Sequence, residues 1–323
     1  MTETPDEFDW IERLKPLTRG DPRALGLLDD VAIIPEQRGS ELVISKDAMV
    51  EGVHFPVGEA ADIVARRLIR TSISDLAAKA AAPFGYFLMT AWPGARSWSE
   101  REAFIDGLRV DGDRFGLALL GGDTVTTPGG LSVSATVLGW VPQGGAVLRS
   151  GARAGDVVVA CGVIGDGWLG LQAVMGRIAD PTGALTAHYR LPEPMVVLRP
   201  ALAALARAAA DVSDGLIADA DHVARASGLG LQLALDDMPL SPPAAAWMAA
   251  QSDQAAARLA LATGGDDYAV VCAIDPAEEE GFIAWVRDLG VACGRVGLFV
   301  AAPGLSVAYR GRPLAADHLG YRH

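Results

Sequence analysis

Basic residues are scarce in this chain, and cysteine is rarer still. Asp and Glu outnumber Lys and Arg by 40 to 27, which leaves a formal net charge of −13. Because nucleic-acid backbones are bound by clustered Lys and Arg, this balance argues against a nucleic-acid partner. The three cysteines form no CxxC pair and lie in apolar runs, so we predict buried structural thiols rather than a zinc or redox site.

Membrane spans and the motifs of several common enzyme classes are also missing. The acidic first residues contain no apolar signal-peptide core, and apolar runs such as 156–161 are too short for a bilayer. We therefore expect a cytoplasmic protein with no membrane partner. The absence of a Walker A sequence and of GxGxxG after a strand argues against a P-loop NTPase and a Rossmann dehydrogenase. HExxH and GxSxG are absent too, and the five histidines do not pair at metal-ligand spacing.

The chain has the composition of a folded protein with more than one domain. Half of its 323 residues are hydrophobic, which suffices for one large core or two ordinary ones. Strand-like and helical patterns alternate on both sides of a polar, Gly-rich break at 149–156, which predicts a two-domain α/β or α+β protein. We place the domains at 1–148 and 149–323.

Four local predictions bear on the site. They are a strand over 117–120 that ends before Gly121, a helix over 195–210, a helix over 216–226, and a terminal β-pair of 296–300 with 305–309.

Short acidic clusters recur between residues 29 and 267. Most follow a strand-like apolar run or begin a helix, where carboxylates repel one another and hard divalent cations such as Mg²⁺ relieve that repulsion. For any single cluster, a turn or an N-cap is the favoured explanation. Taken together, they predict a site with several Mg²⁺ ions that handles a nucleotide. The clusters are Asp29-Asp30, Asp47, Asp75, Asp123, Asp211 with Asp214, and Asp266-Asp267, with Asp166 as a weaker seventh.

A few other residues are candidates, each with an ordinary structural alternative. Gly121-Gly122 offers a backbone that a phosphate or base can approach, or a tight turn. Arg149 is a phosphate contact or an exposed linker residue, and Ser213 begins a helix whose N–H groups receive a phosphate or are simply capped. His54 is a ligand contact or a structural histidine, and Tyr321 stacks on an aromatic ligand or packs on the protein.

In this order, the clusters and their flanking residues resemble the thiamine-monophosphate kinases of the AIR synthase superfamily. The "EGVHF" segment at 51–55 and the terminal Gly320-Tyr321 indicate the thiamine branch. The other segments that carry the resemblance are 27–32, 47–50, 74–78, 120–124, 149–152, 162–166, 211–216 and 264–268.

The resemblance implies a fold, a reaction and a set of site residues. The reaction is ATP-dependent phosphorylation of thiamine monophosphate to thiamine diphosphate, the last step of that biosynthesis, by direct in-line transfer on several Mg²⁺ ions. The fold is a PurM-like homodimer in which N-terminal strands of both subunits form a barrel, with a C-terminal α/β domain. The implied metal positions are Asp30, Ser45, Lys46, Asp47, Asp75, Asp123, Asp211 and Asp214, of which Asp47, Asp75 and Asp123 are catalytic. The implied ATP contacts are Gly121, Gly122, Arg149 and Ser213, and the implied thiamine-phosphate contacts are His54, Asp266 and Tyr321.

Lys46 departs from the family pattern, because Thr is the usual metal ligand at that position. A lysine ammonium has no acceptor atom and carries a positive charge. Either one Mg²⁺ ion is lost or the ammonium takes its place, and we hypothesise that Lys46 lowers the dependence on Mg²⁺. Asp266 also stands where Glu is typical.

Other readings stay open beside this one. AIR synthase itself is the nearest enzymatic alternative. Selenophosphate synthetase would need a reactive Cys near the N-terminus, whereas the first here is Cys161, and a hydrogenase-maturation relative would end in Cys, whereas this sequence ends in His323. From a different class, the chain could be a nucleotide-binding module that has lost catalysis, with Lys46 as the lesion.

Overall fold

The computed structural model describes residues 7–315 and 318–321, with side chains from Asp9 onward. The chain divides into two compact units, unit 1 (Met1–Leu76 and Ala81–Gly144) and unit 2 (Ala77–Ala80 and Gly145–His323). Both units combine helices and strands, so the predicted two-domain α/β fold is confirmed. The predicted domain boundary at 148/149 stays a prediction. No helix in the described ranges has both the length and the apolar character that crossing a bilayer requires.

Unit 1 is built on one mixed sheet. Its strands are β1 (Ser40–Val50), β2 (Ala82–Pro93), β3 (Ala118–Thr127) and β4 (Ser132–Pro142), and its helices are α1 (Glu7–Leu14), α2 (Ala61–Ala78) and α3 (Trp98–Phe115). The strand order is β1-β4-β2-β3, so β1 and β3 form the edges. The β2–β3 pair is parallel and the other two pairs are antiparallel.

The helices of unit 1 are held by an apolar stripe and a buried ion pair. Leu68, Ile69 and Ile73 of α2 recur at helical spacing and are fully buried. Arg70 of the same helix donates from Nε and Nη2 to the buried carboxylate of Asp111 on α3, at 2.6 and 3.0 Å. Because each charge is matched by its partner, this pair tolerates burial that an isolated charge would not.

Unit 2 carries a second, larger sheet. Within the described residues its strand order is β11-β10-β7-β9-β5-β8-β6, antiparallel except for the β10–β7 pair. The strands are β5 (Val157–Cys161), β6 (Ala206–Val212), β7 (Gly230–Ala234), β8 (Ala269–Ile274), β9 (Cys293–Val300), β10 (Leu305–Tyr309) and β11 (Arg312–Leu314). The helices are α4 (Asp166–Val174), α5 (Ala184–Arg190), α6 (Arg199–Leu205), α7 (Leu216–Ala226), α8 (Pro242–Ala249), α9 (Gln254–Thr263) and α10 (Glu279–Asp288).

Two of the local predictions are wrong in unit 2, and one is confirmed with its bounds. The predicted helix over 195–210 ends at Leu205, and the Ala-rich segment after it forms β6. There, pairing with the fully buried strand β8 overrides the helix propensity of alanine. The predicted terminal β-pair does not form, because β9 and β10 each pair with β7 instead. Helix α7 has the predicted bounds.

The expectation that most acidic clusters sit at the ends of strands or the starts of helices is wrong for two of them, because Asp47 and Asp123 lie within strands β1 and β3. Asp211 lies at the end of β6, where the expectation holds, and Asp75 lies near the end of α2. A residue inside a regular element has its side-chain direction set by that element, whereas a loop residue does not. The sheet therefore decides which face the Asp47 and Asp123 carboxylates occupy.

Candidate active site

A cavity of about 570 Å³ runs across one face of the unit 1 sheet. Lys46 on β1 aligns with Thr136, Phe87 and Gly121 on the three neighbouring strands, and all four residues line the cavity. Side chains alternate between the faces of a sheet, so residues in one such row share a face. Five predicted site residues are brought together here, namely Asp30, Lys46, Gly121, Gly122 and Asp123.

The lining of this cavity combines charged and apolar groups. Asp30 and Asp123 expose their carboxylates, and the Lys46 ammonium donates to Ser134 Oγ at 2.6 Å. The apolar part of the lining includes Trp10, Ile11, Leu14, Phe87 and Met89. Such a lining suits a ligand with an anionic end, which cations hold, and a flat apolar end, which side chains cover.

Ser45, Asp47 and Asp75 form a second group on the opposite face of the sheet. The Ser45 hydroxyl donates to Asp75 Oδ2. Asp47 alternates with Lys46 along β1 and is partly buried, and burial together with the neighbouring Asp75 carboxylate raises its pKa to about 6. These three side chains are not among the described residues that line the cavity. Unit 1 thus holds two groups of predicted metal-site residues rather than one.

Strand packing explains why glycine occupies positions 121 and 122. Both lie inside β3, so the tight-turn alternative is wrong. A Cβ atom on Gly122 would lie 2.0 Å from the Leu88 carbonyl oxygen, and one on Gly121 would lie 3.2 Å from the Phe87 ring. The close pairing of β3 with β2 therefore requires at least the second glycine. That these residues contact ATP stays a prediction.

The loop that carries His54 is positioned by Glu51. One Glu51 carboxylate oxygen accepts from Gly58 N at 2.8 Å and from Arg96 at 2.6 Å, and the other accepts from Leu131 N at 2.9 Å. The His54 ring accepts from Val50 N at Nδ1, 3.1 Å away, so its neutral form carries the proton on Nε2. Sequence reasoning treated Glu51 only as part of a motif, although a carboxylate before a Gly-rich loop is a usual loop anchor.

In unit 2 the backbone joins most of the predicted residues. Asp266 N donates to the Ser213 carbonyl at 2.8 Å, Tyr268 N donates to Val212 at 2.8 Å, and Tyr321 N donates to Asp214 at 2.9 Å. Segments 211–215, 264–268 and 320–321 are therefore joined by backbone hydrogen bonds. Asp211 is buried at the end of β6. Asp266 and Tyr268 both have positive φ, at 64° and 52°, and the Tyr268 hydroxyl donates to Asp266 Oδ1 at 3.0 Å.

The alternative interpretation, in which Asp214 is the N-cap of α7, is wrong. Gly215 holds the cap position, and Asp219 Oδ2 accepts from the backbone N–H groups of Asp214 and Gly215 at 3.0 and 3.2 Å. Ligand atoms of Asp214, Asp219 and His222 lie within 4.8 Å of one another. The pKa of His222 is raised above its ordinary value, chiefly by the Asp219 carboxylate, and burial and the charge of Arg149 oppose this shift. Arg149, Asp214 and His222 thus form one charged neighbourhood.

A second cavity, of about 490 Å³, opens in unit 2 beside these segments. Tyr321 lines it together with Trp168, which sequence reasoning missed. An aromatic residue directly after Gly165-Asp166-Gly167 was the available signal. Asp166 itself is engaged structurally, because it accepts from the Ser241 hydroxyl at 2.6 Å. Asp267 likewise accepts from Gly165 N and Gly167 N.

The shifted pKa of Asp47 predicts a pH-dependent cost in stability. Because the folded-state pKa of about 6 lies above the ordinary 3.8, the neutral carboxyl favours folding below pH 4, and this benefit is lost as the pH rises through 6. In chelator-treated protein at pH 8, Asp47→Asn should raise the free energy of unfolding by about 1 to 3 kcal/mol. The gain should vanish at pH 4, as measured by urea denaturation at both pH values.

A matched control for this experiment is Asp106→Asn on α3, where the exposed carboxylate pairs with Arg109. That substitution should change stability by less than about 1 kcal/mol at either pH. Equal stability of Asp47→Asn and the parent protein at pH 8 would contradict the prediction.

Comparison with known proteins places the chain in a family. Residues 28–141 match the AIR synthase related protein N-terminal domain, and residues 153–310 match its C-terminal domain. The chain is 54% identical over 320 residues to the thiamine-monophosphate kinase of Caulobacter vibrioides, covering 99% of this chain and 91% of that protein.

Solved structures are similar along the whole chain. The crystal structure of thiamine-monophosphate kinase from Stenotrophomonas maltophilia superposes with a TM-score of 0.83 at 31% identity, covering 95% of this chain and 98% of that one. AaThiL complexed with AMPPCP and TMP has a TM-score of 0.77 at 22% identity, with coverages of 99% and 100%, which establishes likeness of fold alone. From its two matched domains and its identity to curated relatives, we conclude that the chain belongs to the thiamine-monophosphate kinase family of AIR synthase related proteins.

Proposed function

We propose that this protein is a kinase that transfers the γ-phosphoryl group of ATP to thiamine monophosphate, yielding thiamine diphosphate and ADP. The observation that carries the proposal is the unit 1 cavity, where Asp30, Asp123 and Lys46 share a lining with apolar side chains. A nucleoside triphosphate has the matching chemistry, with charge at one end and a flat base at the other. The curated thiamine-monophosphate kinases that this chain resembles, and the AaThiL complex with AMPPCP and TMP, support the choice of substrates.

The donor chemistry of the predicted metal residues fits Mg²⁺. Apart from Lys46 they all offer hard oxygen atoms. Burial and the neighbouring Asp75 carboxylate raise the pKa of Asp47, and a divalent cation would offset both effects. The residues that would hold the ions are Asp30, Ser45, Asp47, Asp75, Asp123, Asp211 and Asp214. When bound, the ions would neutralise charge on the transferring phosphoryl group.

The protein's own groups have separate tasks in this reaction. An oxygen of the thiamine monophosphate phosphate attacks the γ-phosphorus of ATP in line, and the bond to the ADP oxygen breaks. That phosphate oxygen is already ionised near neutral pH, so positioning and charge matter more than a general base. Asp47, Asp75 and Asp123 would act catalytically by holding the cations, while Gly121, Gly122, Arg149 and Ser213 would contact ATP.

The acceptor substrate is assigned to the other predicted residues. His54 lies on a loop that Glu51 holds by hydrogen bonds. Asp266 and Tyr321 belong to the hydrogen-bonded segments of unit 2. A carboxylate suits the positive charge of the thiazolium ring, and an aromatic side chain suits the flat rings of thiamine. We further propose that the reaction ends thiamine diphosphate biosynthesis in the cytoplasm.

We also propose a homodimer whose N-terminal strands meet in a barrel. The sheet face that carries the unit 1 cavity exposes several large apolar side chains, and within the described part of the chain β1 pairs with a strand on one side only. A face and an edge of this kind are usually covered by another chain. The exposed apolar residues on this face are Leu42, Ile44, Val50, Met89 and Val125.

The proposed activity is tested by incubating the protein with ATP, Mg²⁺ and thiamine monophosphate and separating thiamine diphosphate by chromatography. We expect diphosphate from the monophosphate only, with no product from free thiamine or from the substrate of AIR synthase. Asp123→Asn should lower kcat by a factor of about 100 or more, because it removes a carboxylate that would hold a cation against the transferring phosphoryl group. Nucleotide binding without any turnover in the parent protein would instead favour the impaired binding module.

Lys46 provides a test of how cations and ammonium share the site. If the ammonium takes the place of one Mg²⁺ ion, Lys46→Thr should shift the Mg²⁺ concentration for half-maximal activity upward about two- to tenfold, the scale of one charge-assisted contact. Lys15→Thr is the control, since that side chain pairs with Glu12 on α1. An unchanged Mg²⁺ titration for Lys46→Thr would refute the hypothesis.

The proposed dimer is tested by light scattering coupled to size exclusion. The parent protein should have about twice the chain mass of 33.6 kDa, and Ile44→Lys should shift it toward the monomer, because a charge on the covered face is costly. Val57→Lys, on an exposed loop residue outside the sheet, should leave the mass unchanged. A monomeric parent protein would rule out the dimer.

A further inference from the structure

The unit 2 cavity has two aromatic walls. It opens beside the segments that hold the predicted acceptor-binding residues, and its described lining is mainly apolar, with Thr263 and His318 as polar members. Tyr321 remains 53% exposed and Trp168 is partly buried. Each ring is therefore supported by protein while retaining surface for a ligand.

Trp168 is held firmly in its position. It follows Gly167, whose N–H donates to the buried Asp267 carboxylate at 3.0 Å. A Cβ atom on Gly264 would lie 2.3 Å from Trp168 Cβ, so the glycine leaves just enough room for the tryptophan. The Trp247 ring meets the indole edge to face, with the ring centroids 5.6 Å apart. A wall that is fixed before the ligand arrives binds at a lower entropic cost.

Tyr321 is tied to the predicted metal and phosphate residues. Its N–H donates to the Asp214 carbonyl at 2.9 Å, and a Cβ atom on Gly320 would lie 2.6 Å from that same oxygen. Gly264, against which Trp168 rests, lies two residues before Asp266, whose N–H donates to the Ser213 carbonyl. Tyr321 is therefore hydrogen-bonded to segment 213–214, and the glycine beside Trp168 lies two residues from another bond to it. This segment holds residues that we propose bind phosphate and metal.

We propose that Trp168 is a specificity-determining residue that stacks on the cationic ring system of the acceptor substrate, opposite or beside Tyr321. The proposal rests on the proposed function and deepens it, since thiamine monophosphate carries a flat cationic thiazolium ring, a methylene-linked pyrimidine ring and a phosphate. Tryptophan provides the most favourable aromatic face for a cation. A neutral or non-aromatic acceptor gains less from such a wall.

The test is steady-state kinetics of Trp168→Leu and Trp168→Phe in the full-length chain. Leucine fills the space without a ring, whereas phenylalanine keeps a stacking surface. Trp168→Leu should raise KM for thiamine monophosphate about five- to thirtyfold, with kcat and KM for ATP within about twofold, and Trp168→Phe should recover most of the loss. Trp285→Leu on α10 is the matched control, because this tryptophan is 37% exposed and is not among the described residues of the cavity lining.

Each alternative result has a definite meaning. An unchanged KM for thiamine monophosphate in Trp168→Leu, or an equal loss in Trp285→Leu, overturns the specificity role while leaving the kinase activity in place. Equal defects in the Leu and Phe variants, with lowered melting temperatures, assign Trp168 to packing alone and also overturn it. Failure of the parent protein to form thiamine diphosphate overturns the proposed function itself. Calorimetric titration with thiamine monophosphate then shows whether the cavity still binds this cation.

Discussion

Electrostatic repulsion between carboxylates is the constraint on which the organisation of this protein depends. Most of its buried aspartates are matched within the protein: Asp111 by Arg70, Asp267 by the amides of Gly165 and Gly167, and Asp219 by two backbone N–H groups. Asp47 instead lies beside a second carboxylate, Asp75, and partial burial together with this neighbour raises its pKa. The distinction separates carboxylates with partners inside the protein from those that we propose hold a cation.

This division gives the acidic composition a structural meaning. Carboxylates with internal partners occur at helix packing contacts and under tight loops, where they add to stability. The carboxylates that line the unit 1 cavity are exposed and share it with a lysine, an arrangement that favours a charged ligand with associated cations. A fold that keeps such groups close together carries a cost in free energy that ligand binding can offset.

In unit 2, backbone hydrogen bonds hold the candidate site residues in position. Three segments distant in sequence are joined through the carbonyls of Val212, Ser213 and Asp214, and the strained residues Asp266 and Tyr268 belong to one of these segments. Backbone strain of this kind persists only where the surrounding structure over-determines it, and it concentrates at functional sites. Of the two aromatic residues in the nearby cavity, Tyr321 is positioned by one of these bonds, and Trp168 packs against Gly264 in one of the joined segments.

The amino-acid sequence by itself determined the fold class and helix α7, and it singled out five residues that line the unit 1 cavity, because hydrophobic periodicity and motif order are local properties. Tertiary structure decided that the Ala-rich segment 206–212 becomes a strand, since only the pairing with β8 overrides its helix propensity. It also decided that Asp47 and Lys46, adjacent in sequence, occupy opposite faces of a sheet. The partner of Gly264 is Trp168, almost a hundred residues away, and no local pattern records such a contact.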